Sequence, residues 1–358
     1  MSSETPLKET QDNQLMRMLR IRFDRFADPV HKIVAANGHI DLAGAEPLLQ
    51  KLDDLIRIAP ALVGRLATYP HLTKLLFGEQ IESSSIRELP LDCAPSQTAK
   101  LFDELKLASH IAWANGPEGE LPQIHNLLED LLRHIHRRLQ LSFCVLATGS
   151  FASDDLSPSA AAEIVLVSTT ADSQRNDLEA HALLGFLEGL AHYGLTSKIE
   201  IKRINNALFV NDGGMSATEV ANLAPTEFVA VSSARPIIGE SVRIAEPIPL
   251  RPDRLKSLIA FKRQIETQLV SAKYRRRDVV NGEGGLGDLA WLLMLNEWRF
   301  PTATNRTALS FGSELGPISY GTAERLHNLH LAQLLLPNEL DALLDAHRHL
   351  MAVQLRIQ

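Results

Sequence analysis

Glycine followed by serine at Gly149–Ser150 sits between two apolar runs, residues 143–147 and 164–168, the second entered at Glu163. A Gly-Ser turn at the end of a strand can offer backbone N–H groups and a hydroxyl to phosphate oxygens. Carboxylates two residues apart on a strand point to one side and can share a divalent metal, so positions 161 and 163 are where an Asp-x-Asp pair would act. Those positions read Ala161 and Glu163. A third acid, Glu200, lies on the alternating run 198–204 (Ile199 and Ile201 against Glu200 and Lys202). Such a set suits in-line attack on an α-phosphorus, with magnesium neutralising the attacking and leaving oxygens. Taken alone, the local pattern is equally that of a structural turn beside a solvated strand face.

These residues need a frame, and the chain is long enough to supply one. At 358 residues it can form two or three domains with substantial cores. Hydrophobic residues at 45%, charged residues at 22% and a net charge of −7 describe an ordinary globular composition and argue against a surface that coats nucleic acid. Two cysteines, Cys93 and Cys144, cannot build a disulfide framework, and both read as small core residues. The first 14 residues are polar without an apolar core, so a short disordered lead is expected rather than a signal peptide. No apolar run approaches the roughly 20 residues that span a bilayer, which points to no membrane and a cytoplasmic location.

Periodicity divides the chain. Residues 15–141 carry helical stripes: Leu48, Leu49, Leu52, Leu55 and Ile56 form one, and Ile124, Leu127, Leu128, Leu131, Leu132, Ile135 and Leu139 a stronger one. Pro60 opens a short helical stretch that Pro70 punctuates and Gly78 closes. His134 and His136 crowd the end of the second stripe and read as helix-end residues, because i and i+2 face different sides of a helix. Residues 142–246 change character: short β-rich runs at 143–147, 164–168, 198–204, 207–210 and 228–232 surround an amphipathic helix at 177–192. From Pro252 the pattern is helical again, with Trp291, Met294, Leu295 and Trp298 as core and His347 and His349 as surface or capping residues. The expected architecture is α+β. A mixed-sheet domain at 142–246 lies between an N-terminal helical region (15–141) and a C-terminal helical bundle (247–358).

Ordered segments across residues 40–358 resemble bacterial glutamine synthetase adenylyltransferases. SARPIIGE (residues 233–240) is similar to that family's ARxVAGD-type turn, and FKRQIETQ (261–268) to its basic helix. DVVNGEGGLGDLAWLLML (278–295) resembles DIKLGxGGIRDIEFxVQ, and AHRHLMAVQLRIQ (346–358) resembles AYRFLRRVEHRLQ. APALVGRLATYPHLTKLL, early in the chain, is similar to the segment that precedes the catalytic domain. The resemblance implies one half-length unit with a polymerase-β-like nucleotidyltransferase fold. It further implies AMP transfer to or from a tyrosine of a partner such as glutamine synthetase, with magnesium and ATP or phosphate.

On that pattern Gly149 and Ser150 would hold the triphosphate, Glu163 and Glu200 would be the catalytic and metal-binding acids, and Lys202 and Arg203 would supply charge to the nucleotide. Asp154 and Asp155, which stand where Arg-Glu is expected, are loop acids that could reach a metal. Ala161, Val280 and Ala290 each replace a residue the family's chemistry uses. Alanine cannot ligate a metal, and exchanging aspartate for glutamate moves the ligand oxygens by about one methylene in an ion that demands near-ideal geometry. The expectation is a degenerate, non-catalytic or weakly active regulatory relative; the alternative is an active adenylyltransferase or adenylyl-removing enzyme.

Overall fold

A computed structural model describes residues 5–39, 42–79, 85–115, 124–153, 156, 160–195, 197–210, 216–232, 234–239, 248–270, 286–300 and 321–357. Helices α1 (Thr5–Phe23), α2 (Ala27–Ala36), α3 (Leu42–Ile58) and α4 (Ala61–Leu66) form the first layer, with a 3-10 segment at Pro70–Phe77. α1 includes residues 5–14, where a disordered lead was expected; Glu, Lys, Gln and Leu in that stretch are compatible with helix continuation. Gly78 closes the 3-10 segment with φ +74°, the left-handed conformation in which glycine carries no Cβ penalty. Leu19, Val30, Ile33, Leu49, Leu52 and Leu66 pack into one buried cluster, which takes Leu107 and Ile111 from α5 (Pro95–Asn115).

The sheet is small and mixed. Its strands are β1 (Cys144–Thr148), β2 (Ala162–Val167), β3 (Ile199–Ile201), β4 (Phe209–Val210) and β5 (Arg235–Ile238), ordered β3-β2-β1-β5 with β4 also on β2. β1 runs antiparallel to β2 and β5; β3 and β4 run parallel to β2. β3 and β4 occupy successive stretches of the same edge of β2, separated by a small loop in which Ile204 and Ala207 bridge. Asn205 and Asn206 take φ of 51° and 64° there, values that asparagine tolerates better than most residues. Helix α8 (Ser173–His192) connects β2 to β3, as a parallel pairing requires.

Both faces of the sheet are covered, which is why β1 is buried at every position. Val145, Ala147, Ala162, Ile164 and Leu166 meet α8 and helix α6 (Ile124–Leu139). The alternate residues Cys144, Leu146, Val165 and Val167 meet the opposite core. That core takes Phe228 from α10 (Pro225–Ser232), Leu258 from α11 (Pro252–Val270) and Met294 and Trp298 from α12 (Leu286–Arg299). Between β1 and β2 lies the single-turn helix α7 (Gly149–Ala152), and α9 (Ala217–Asn222) precedes α10. Two further helices, α13 (Thr322–Leu331) and α14 (Pro337–Ile357), pack on α12 through Leu289, Leu293, Leu326, Leu329 and Leu340. An Arg325–Glu297 ion pair ties α13 to α12. The architecture is thus mainly helical with a mixed sheet, as expected for an α+β chain, and no helix among the described residues is long and apolar enough to cross a membrane.

Three further sequence expectations change. Residues 228–232 are helical rather than a strand: Pro225 opens the helix, Glu227 accepts from the Ala224 N–H, and Phe228 and Val231 fall three apart on one buried face. His134 is fully buried within α6, with Nε2 3.9 Å from Cys93 Sγ, rather than serving as a helix-end residue. His347 is also buried, on the core-facing side of α14.

Candidate functional site

The antiparallel β1–β2 register places Thr148 opposite Glu163, and the parallel β2–β3 register places Glu163 beside Glu200. Both acids therefore stand on neighbouring strands and on one face, the face that carries Leu146, Val165 and the C-terminal core. The sequence pairs Glu163 with Ala161 along one strand; the fold pairs it with Glu200 across two. Ala161, just before β2, brings only a methyl group.

The turn expected to hold phosphates lies against this pair. Gly149 has φ +57°, and a Cβ built there would stand 3.1 Å from Glu163 Oε2. Glycine takes this backbone angle at no steric cost, whereas a side chain would be strained there and would press the carboxylate back by a few tenths of an ångström. Ser150 is exposed on the turn. Thr148 Oγ1 is buried with no hydrogen-bond partner among the described residues, so a buried hydroxyl shares the face of the two acids. Asp154, Asp155 and Val280 lie outside the described residues.

Position 202 decides the electrostatics. The Lys202 N–H donates to the Ile164 carbonyl at 2.7 Å, extending the β3 ladder by a residue. At i+2 from Glu200, its side chain falls on the acids' face. Lys202 Nζ lies 2.7 Å from Glu163 Oε1 and 3.6 Å from Glu200 Oε2. Lys198, two residues before Glu200, puts its Nζ 2.5 Å from the other oxygen, Oε1. The Lys198 hydrogen bond chiefly holds the Glu200 carboxyl below its ordinary pKa, against a smaller opposing effect of burial. Partial burial would lower the Lys202 pKa, but its hydrogen bond and charge interaction with Glu163, then with Glu200, raise it. Lys202, the residue expected to supply charge to a nucleotide, faces the acids, and Arg203 is exposed at the next position.

Behind the turn lies a clamp the sequence did not announce. Arg235, at the start of β5, donates through Nε to the Ala152 carbonyl at 3.1 Å and through Nη2 to the Phe151 carbonyl at 3.3 Å. Its Nη1 meets Glu129 of α6, and both side chains are about nine-tenths buried (12% and 8% exposed). Arg235 satisfies carbonyls at the end of α7 that the short helix leaves open. The signal was present in the ARPIIG run, but its partner stands more than a hundred residues away.

Magnesium does not fit the described residues of this pair: it needs a shell of oxygens at about 2.1 Å, whereas the Lys202 ammonium contacts Glu163 at 2.7 Å and ion-pairs with Glu200 at 3.6 Å. No cluster of three or more His, Cys, Asp or Glu side chains able to hold a metal occurs among the described residues. Asp288, retained from the resemblance, is engaged by Lys262 across α11 and α12. No protein-family model matches the chain, and no curated protein matches it significantly.

Proposed function

We propose that this chain is a nucleotidyltransferase-fold relative of the glutamine synthetase adenylyltransferases that keeps the frame of the site and acts as a non-catalytic binding or regulatory module toward a partner protein. One observation carries the reading. Glu163 and Glu200 stand in register on one face beside the Gly149 turn, where transfer chemistry would want them, and Lys202 bridges them. With Ala161 in place of a further acid, the described residues of the site supply two carboxylates, with an ammonium between them where a catalytic metal would need an open position.

The closeness of Gly149 to the Glu163 carboxylate favours a second reading, an active adenylyltransferase or adenylyl-removing enzyme. The two are separated by incubating the chain with magnesium, α-labelled ATP and purified glutamine synthetase, and by titrating ATP and glutamine synthetase calorimetrically. The expected result is no label transfer, with saturable binding of glutamine synthetase. Magnesium-dependent transfer abolished by Glu163→Ala would overturn the non-catalytic reading; absence of both transfer and binding would remove glutamine synthetase as the partner.

A further inference from the structure

We infer that Lys202, supported by Lys198, is a tethered cation that takes the place of a divalent metal between Glu163 and Glu200 and keeps this face metal-free. The inference concerns the acidic pair itself and stands whether or not a nucleotide or glutamine synthetase binds.

Charge is the first argument. Two carboxylates on adjacent strands of a parallel ladder are like charges a few ångströms apart, an arrangement that needs compensation. Two ammonium groups supply it: Lys202 Nζ reaches Glu163 and Glu200, and Lys198 Nζ reaches the outer oxygen of Glu200. The sum of these lysines matches the charge of one divalent ion, so the four side chains are neutral together and have no excess negative charge with which to recruit one.

Geometry is the second. The run Lys198-Ile199-Glu200-Ile201-Lys202 alternates, so both lysines and the acid share a face while Ile199 and Ile201 pack against the opposite core. The Lys202 backbone is pinned by its bond to the Ile164 carbonyl, which fixes the root of the side chain relative to Glu163. The Lys202, Glu163 and Glu200 side chains are each about one-third exposed (34%, 31% and 34%), so a solvated ion has access to the acids and the ammonium must compete with it. A covalently attached cation at 2.7 Å from Glu163 needs no ion from solution and is not removed by chelators. Gly149 leaves room for the carboxylate to keep this position.

The test is manganese binding, followed by electron paramagnetic resonance of the free ion and by thermal shift, on the full chain. The wild type is expected to show no saturable manganese binding that depends on Glu163. Replacing both lysines (Lys198→Met/Lys202→Met) restores the negative charge and is expected to tighten manganese binding at least about tenfold, since two compensating charges are removed within a few ångströms. Adding Glu163→Gln to that variant is expected to abolish the gain. A second variant, Ala161→Asp with both lysines retained, adds a ligand without removing the cation and is expected to stay metal-free. Saturable manganese binding by the wild type that Glu163→Gln removes would overturn the inference. So would binding by Ala161→Asp, or a folded double-methionine variant that binds no better than wild type. Should the double-methionine variant not fold, the wild-type and Ala161→Asp titrations decide.

Discussion

Gly149 is the residue at which sequence, backbone and site meet. Its φ of +57° would cost a non-glycine residue about 1 kcal/mol, and an added methyl would press on Oε2 of the Glu163 carboxylate, which Lys202 holds through Oε1. Gly149→Ala is expected to lower stability by roughly 1–2 kcal/mol, and the loss should shrink toward the backbone cost alone when Glu163→Ala is added. Urea unfolding of the four proteins in this cycle checks it: equal losses in both backgrounds would mean the carboxylate does not crowd the turn. The turn was legible because glycine and serine follow an apolar run, and the strand face that carries Glu200 was legible from alternation. The lysine bridge was not. The spacing of Lys198, Glu200 and Lys202 gives their common face, but which acid lies across from them depends on the parallel β2–β3 register, a contact made through a long crossover.

Among the elements, the one-turn helix α7 depends most on residues distant in sequence. Phe151 and Ala152 are buried, yet four residues leave most backbone groups without helical partners, and Arg235 supplies two of the missing donors while pairing with Glu129. Removing Arg235 leaves the buried Glu129 carboxylate with Arg133, one turn along the same helix, as its remaining partner. Arg235→Met is expected to cost less than the about 3–5 kcal/mol of a fully stranded charge, and Arg235→Met with Glu129→Met should cost less than the two single changes together. Denaturant melts decide between this and simple additivity, which would show that the two side chains act independently. Helices of one-sided apolar pattern, such as α6, could be read directly from the sequence. The run 228–232 could not: a five-residue β-branched and aromatic stretch fits a strand as well as a buried helix turn, and the Pro225 and Glu227 signals that settle it act before the run begins.

At the scale of the molecule, the helical layer and the sheet layer meet along α5. Ala99 and Phe102 join the sheet's core and Leu107 and Ile111 the helical one. Lys106 and His110, one turn apart on that helix, are buried; Lys106 Nζ donates to Ser197 Oγ at 2.9 Å, at the entry to β3, and both ring nitrogens of His110 lack a hydrogen-bond partner among the described residues. Burial first, then the charges of Lys106 and Arg65, push the His110 pKa down from 6.5 to about 3. A histidine kept neutral in the fold contributes stability above its unfolded pKa and loses it as pH falls toward the folded value. Acidification from about pH 6.5 to 3 should therefore remove roughly 4–5 kcal/mol at most. Burial, then Arg65, lowers Lys106 from 10.5 to about 8, with Asp103 opposing. Its sign is the same: the native state sheds its proton first, so stability should rise between about pH 8 and 10.5. His110→Leu is expected to flatten the acid arm of the stability curve and leave the alkaline rise, and Lys106→Met to remove the rise. Urea midpoints of the three proteins between pH 4 and 10 measure both arms, and an unchanged acid arm in His110→Leu would place the acid sensitivity elsewhere than at this seam.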